Sequence, residues 1–281
     1  MPLKEISATN YLKKLCGNFN KINEIYYKRL FFLIFTYDNT TIMIIIVVFI
    51  LAGFTKGLVG LGLPPVVLGL LTAFIGIHPA MSMVVLPSLV TNTYQAVSGG
   101  NAFTLSKKLF IFYFSATFFV IAGCLLATQV NTNYTSIILG LLLGLYGIGG
   151  LLNIRISFGD PKNKFIQLLL GTSNGIFTGL TGSSAVPGVF FLQSMKLSKE
   201  QLIQGMGILF TLSSITLAIG LYITNIFSIS SGLMSLLALI PAIFGMIIGS
   251  KVRQKISNYV FTKILFCSLC LLGIYIISNN I

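Results

Sequence analysis

An all-α integral membrane protein, with about eight transmembrane segments in two homologous four-segment halves, is the fold class this sequence predicts. Three observations predict it. Only 8% of the 281 residues are charged while 55% are hydrophobic, and the mean hydropathy is +0.95. Apolar tracts recur along nearly the whole chain, each close to the roughly 20 residues a helix needs to cross hydrocarbon. A glycine- and proline-rich motif occurs twice inside such tracts. A soluble domain carries about 25% charged residues; this chain has too few to cover a surface in water, so lipid must cover most of it.

Residues 1–40 form a basic tail. Its lysines run from Lys4 to Lys28, and no small-residue cleavage site follows an apolar core, so it is not a secretory signal. Within it, IYYKRLFFLIF (25–35) is basic and then aromatic, which suits a short interfacial helix. The first transmembrane repeat is read over 41–152, with apolar segments at 41–76, 80–100, 109–129 and 135–152. A basic connecting loop covers 153–164, and the second repeat, 165–277, has segments at 165–195, 201–222, 230–249 and 260–277. The first and fifth segments exceed one span, and both are broken by Gly and Pro.

The two broken segments match each other. FTKGLVGLGLPPV (54–66) aligns with FTGLTGSSAVPGV (177–189) after one deletion, placing Gly57 on Gly179, Gly60 on Gly182 and Pro65 on Pro187. Duplicated broken helices are the sequence pointer to a transporter's binding site. Charge admits two topologies. With eight single crossings, the basic loops KLSKE and KVRQKIS fall outside, against the positive-inside rule. If the fifth segment dips in and returns, every basic loop falls inside and the halves are inverted.

The net charge of +13 sits in the tail and short loops, where it fixes orientation; a nucleic-acid partner is excluded. Cys267 and Cys270 form a CxxC in an apolar span with no second pair or histidine nearby, so they read as packing residues. GLVGLG lacks the βαβ context of a dinucleotide fingerprint, and GLTGSS lacks the histidine base a serine protease needs. No cofactor is expected, and no enzyme.

The five acids, Glu5, Glu24, Asp38, Asp160 and Glu200, all lie in the tail or loops. A cation substrate would find no counter-charge in the spans. Lys56, by contrast, lies deep in a segment: it either snorkels to an interface or sits in a cavity and attracts an anion. The glycine motifs serve either close helix packing or a site, in which a restarting half-helix offers free N–H groups and the positive end of its dipole. Pro64, Pro65 and Pro187 suit the first turn of such a half-helix. The candidate substrate-binding residues are Lys56, Gly57, Gly60, Gly62, Asn92, Asn174, Gly179, Gly182, Ser183, Ser184 and Ser213. Thr93, Gln95, Thr172, Ser173 and Ser214 lie close by in sequence.

GLVGLGLPPVVLGLL and GLTGSSAVPGVFFLQ, each followed by a short turn and a polar-containing helix, resemble the sulfite exporter TauE/SafE family of membrane permeases. The C-terminal stretch, a Gly-containing helix, a basic loop and a last span, is similar to that family's ending, and the resemblance covers roughly residues 41–277. It implies transport of sulfite, organosulfonates or related anions across a bacterial cell (inner) membrane. The first motif departs from the family in having Leu63-Pro64-Pro65 where a longer glycine run is common. The expectation is therefore a secondary transporter of small anions working by alternating access. An anion channel, or a membrane-embedded enzyme, is the alternative. Its partners are a small anionic substrate and the lipid bilayer, with a homo-oligomer allowed.

Overall fold

The computed structural model describes residues 37–154, 156–160, 163–195, 197–253 and 258–281. The interfacial helix expected over 25–35 lies outside them. Residues 1–42 form one unit, of which only 37–42 are described; residues 43–281 form a second, compact unit that carries the site.

Every regular element among the described residues is a helix: α1 (Asn39–Val59), α2 (Leu63–Ile75), α3 (Ile77–Val97), α4 (Ala102–Lys108), α5 (Phe110–Gln129), α6 (Thr132–Leu151), α7 (Lys164–Thr181), α8 (Gly188–Ser194), α9 (Lys199–Ile223), α10 (Ile229–Val252) and α11 (Asn258–Ser278). Six of them, α1, α5, α6, α9, α10 and α11, are long and apolar enough to cross a membrane. α3 and α7 are diluted by polar residues that they bury, Ser88, Thr91, Asn92 and Gln95 on one and Asn174 and Thr178 on the other.

Between α1 and α2 the chain passes through Gly60 and Gly62 at φ of 85° and 105°, a left-handed conformation open to glycine at little cost. Gly182, at φ 78°, ends α7 in the same way. The chain then reverses. Pro64 and Pro65 open α2 beside Val84 and Ser88 in mid-α3, and Gly76 joins the far end of α2 to the start of α3. α2 thus runs back along α3. Likewise α8 runs back along α9, with Gly188 against Leu209 and Gly205 against Leu192. Sequence charge pointed to a return in the fifth segment and left the first open; both segments return, and the paired left-handed glycines are the reason at the first.

Glycine faces set the remaining packing, and the same arrangement occurs twice. On α1, Gly53 and Gly57 lie against the backbone of Ala242 and Met246 of α10, and Gly249 lies against Phe54. On α7, Gly175 and Gly179 lie against Ala116 and Val120 of α5, and Gly123 lies against Ile176. Adding 122 to each α1 number and subtracting 126 from each α10 number carries the first set of contacts onto the second. Under that correspondence Lys56 falls on Thr178. The one-residue deletion, which pairs the two FT dipeptides, is therefore one place out of register within the helix.

Contacts that advance together make α1 parallel to α10 and α5 parallel to α7. The matched helices α3 and α9 run antiparallel: Gln95 meets Ile203, and Ser88 faces the same cavity as Ser213. α6 and α11 are antiparallel too, with Gly140 against Gly273 and Gly147 against Cys270.

Candidate functional site

Where the two breaks face each other, a small cavity of about 20 Å³ is lined by Pro64, Ser88 and Asn92 from the first half and by Gly182, Ser184 and Ser213 from the second. Such a volume accommodates about one water. Ser88 Oγ, Asn92 Nδ2 and Ser213 Oγ have no hydrogen-bond partner, although each residue is at most 3% exposed. An unpaired buried polar group costs about 1–3 kcal/mol, so three around one cavity make it a candidate place for a water or another polar ligand. Ser88 escaped the sequence reading. It stands one helical turn before Asn92, at i and i+4 on one face, and that spacing was the signal.

A second space, an open cleft of about 770 Å³, lies between the C-terminal ends of α1, α3 and α10 and the N-terminal end of α9. Lys56, Gly57 and Gly60 line its inner part, with Glu200 and Arg253 also on its walls. The Lys56 side chain is 5% exposed and donates to Asn92 Oδ1. Asn92 also lines the small cavity, so this pair stands between the two spaces. Gln95 Nε2 donates to Ile203 O (2.8 Å), and Gln204 Nε2 to Ala96 O (2.7 Å), clasping α3 to α9. Gln204 Oε1 accepts from Asn101 N at 2.9 Å. Gln204→Leu is expected to cost about 1–3 kcal/mol by stranding these backbone groups. The chain has no tryptophan, so the check is the fraction surviving heating in a size-exclusion profile.

The structure brings Lys56, Asn92, Gly182, Ser184 and Ser213 together around these spaces. Thr178 Oγ1 lies 2.9 Å from Ser184 Oγ. Asn174 is buried behind the second break, where its Oδ1 accepts from Gly188 N (2.9 Å) and holds the start of α8. Ser183 Oγ is buried and unpaired, and Gly60 borders the open cleft. Gly62 caps α2, where an added Cβ would meet Thr55 and Leu265. Gly179 faces α5 rather than either space. Thr93 and Ser173 point away, bonded to Leu89 O and Leu169 O.

Part of the expected set of backbone donors is missing or taken. Pro64 and Pro65 remove N–H groups from the first turn of α2. At α8, Gly188 N is taken by Asn174 and Val189 N by Ala185 O. The N–H groups of Ser184 and Ala185, which line the cavity, are not taken by a partner among the described residues, and Ser88, Asn92, Ser183 and Ser213 add unpaired side-chain donors.

A helical bundle with long apolar helices, two reversing hairpins and a buried polar cavity between them defines a polytopic membrane protein of the transporter class. The family model for the sulfite exporter TauE/SafE matches residues 45–276, and the chain belongs to that family. No curated protein and no solved structure matches it.

Proposed function

We propose that this protein is a secondary transporter of small anions, sulfite, organosulfonates or related oxidised-sulfur species, with two inverted halves that alternate access to one central site. One observation carries the reading: the unpaired donors of Ser88, Asn92 and Ser213, with the Lys56 ammonium beside them, converge where the two halves meet. Donors and a cation without a carboxylate suit an oxyanion. In this reading the eight segments are α1–α2, α3, α5, α6, α7–α8, α9, α10 and α11, the first and fifth being hairpins.

Orientation follows from loop charge. Lys107, Lys108, Lys164, Lys199, Lys251 and Arg253 all flank the end at which the cleft opens, whereas the connections at 76–79, 130–131 and 224–228 carry no Lys, Arg, Asp or Glu. Applied to these loops, the positive-inside rule makes the cleft end cytoplasmic, and in this reading the molecule is in an inward-open state.

Flux of radiolabelled sulfite, sulfate, taurine and methanesulfonate into proteoliposomes tests this reading. Saturable counterflow is expected; conductance without counterflow would make the protein a channel, and no flux of any of these anions would end the proposal. Ser88→Ala and Ser213→Ala should each weaken apparent affinity about tenfold, the value of one hydrogen bond to a charged group. Unchanged affinity in both would remove the central cavity from the substrate path.

A further inference from the structure

We propose that Lys56 couples anion movement to protons, crossing the membrane protonated when an anion accompanies it and neutral when none does. This rests on the anion-transport reading and adds the means by which the empty carrier returns. The Lys56 side chain is buried, and its hydrogen-bond acceptor is the neutral amide oxygen of Asn92. The chain's acids are Glu5, Glu24, Asp38, Asp160 and Glu200. Of the acids among the described residues, Glu200, in the first turn of α9, is the one that reaches the cleft. The antiparallel register of α3 and α9 sets Glu200 level with about residue 99, some seven residues beyond Asn92, or roughly 10 Å along the axis.

The other groups facing the cleft around Lys56 are Thr91, Tyr94 and Gln95 from α3, Gln204 from α9, and Ser250 and Arg253 from α10. The titratable or charged ones, Tyr94, Glu200 and Arg253, lie nearer the mouth than Lys56. Among the described residues no fixed carboxylate therefore neutralises the ammonium when both sides of the site are shut. A monoanion does. Lysine with its proton plus one monoanion carries no net charge, and lysine without its proton and without an anion carries none either. Both forms can pass the occluded state without an uncompensated buried charge.

Position makes the exchange feasible. Lys56 borders the cytoplasmic cleft, where it can lose or gain a proton to water, and reaches the small cavity through Asn92, whose Nδ2 is unpaired. Thr178, its counterpart in the other half, carries no charge, so the site holds one such group per molecule. One proton then moves in the same direction as each anion. For a monoanion the transfer is electroneutral.

The test uses methanesulfonate and sulfate, which stay fully ionised between about pH 6 and about pH 8, so any accompanying proton must ride on the protein. Proteoliposomes with a pH dye inside report proton movement while tracer reports the anion. In wild type, net anion uptake should acidify the lumen, and for methanesulfonate it should be insensitive to a clamped membrane potential. Lys56→Gln should abolish the acidification that accompanies whatever anion flux remains. Lys56→Arg, charged at every pH, should lower the ratio of net uptake to tracer exchange by at least about tenfold, because the empty form cannot return neutral. Wild-type anion uptake without acidification overturns the coupling role and leaves the transport reading standing. Acidification retained in Lys56→Gln overturns it equally. Absence of anion flux in wild type is the separate failure of the transport reading.

Discussion

Gly57→Leu and Gly179→Leu are each expected to yield little folded protein, with heat stability in detergent lowered by about 3 kcal/mol or more and anion flux lost with it. A Cβ at Gly57 would overlap the carbonyl of Met246, and one at Gly179 the carbonyl of Val120. These are backbone atoms of a packed helix and cannot rotate aside, so the whole helix must move. Overpacking of a formed core costs about 1–3 kcal/mol even where side chains can adjust, and here they cannot. Small residues bring membrane helices into close contact because van der Waals packing, not hydrophobic exclusion, holds them together. Gly144→Ala is the control: nothing lies within 4 Å of a Cβ built there, and stability should be unchanged. If both leucine variants kept wild-type stability and lost only flux, the two glycines would be making room for a ligand rather than for a helix.

That distinction marks where the sequence stopped being legible. Composition and the recurrence of apolar tracts are enough for an all-helical membrane chain, because lipid admits only helices and closed barrels and continuous tracts of roughly 20 apolar residues are helix spans, not alternating strands. The positions of the breaks were legible as well, since Gly60, Gly62, Gly182 and the neighbouring prolines are poor in helix interiors. What a glycine does there was not. Gly57 and Gly60 are three residues apart in one motif, yet the first packs on α10 while the second turns the chain. Residue type carries no sign of which neighbour it meets. The same holds for direction: charge allowed a return in the fifth segment, but only the place of the start of α2 beside mid-α3 shows the first segment returning too. Ser88 was missed because a single serine in an apolar helix ordinarily bonds back to its own turn, as Ser115 does to Ile111 O. Here the Ser88 hydroxyl makes no such bond and lines the cavity shared with α9.

Cys124 is expected to become reactive from the outer side when the transporter turns outward, by about tenfold or more over the inward-open state. The contacts of α1 with α10 recur between α7 and α5, and that correspondence sets Cys124 in the place of Ser250. The two residues differ sharply in this structure: Ser250 is exposed on the wall of the open cleft, whereas Cys124 is 0% exposed, against Gly179 and Gly220. If the halves exchange shapes, their exposures must exchange too. A protein retaining Cys124, with Cys16, Cys267 and Cys270 replaced by serine, can be labelled with a membrane-impermeant maleimide under opposed gradients of methanesulfonate. A gradient that shifts the population outward exposes the thiol in proportion to the outward fraction. In the reciprocal protein, Ser250→Cys with Cys124→Ser, labelling from the cytoplasmic side should fall under the same gradient. Cys124 that stays unreactive while anion flux proceeds would mean that the outer path opens elsewhere than between α5 and α7. The two halves would then share a packing scheme without sharing a movement.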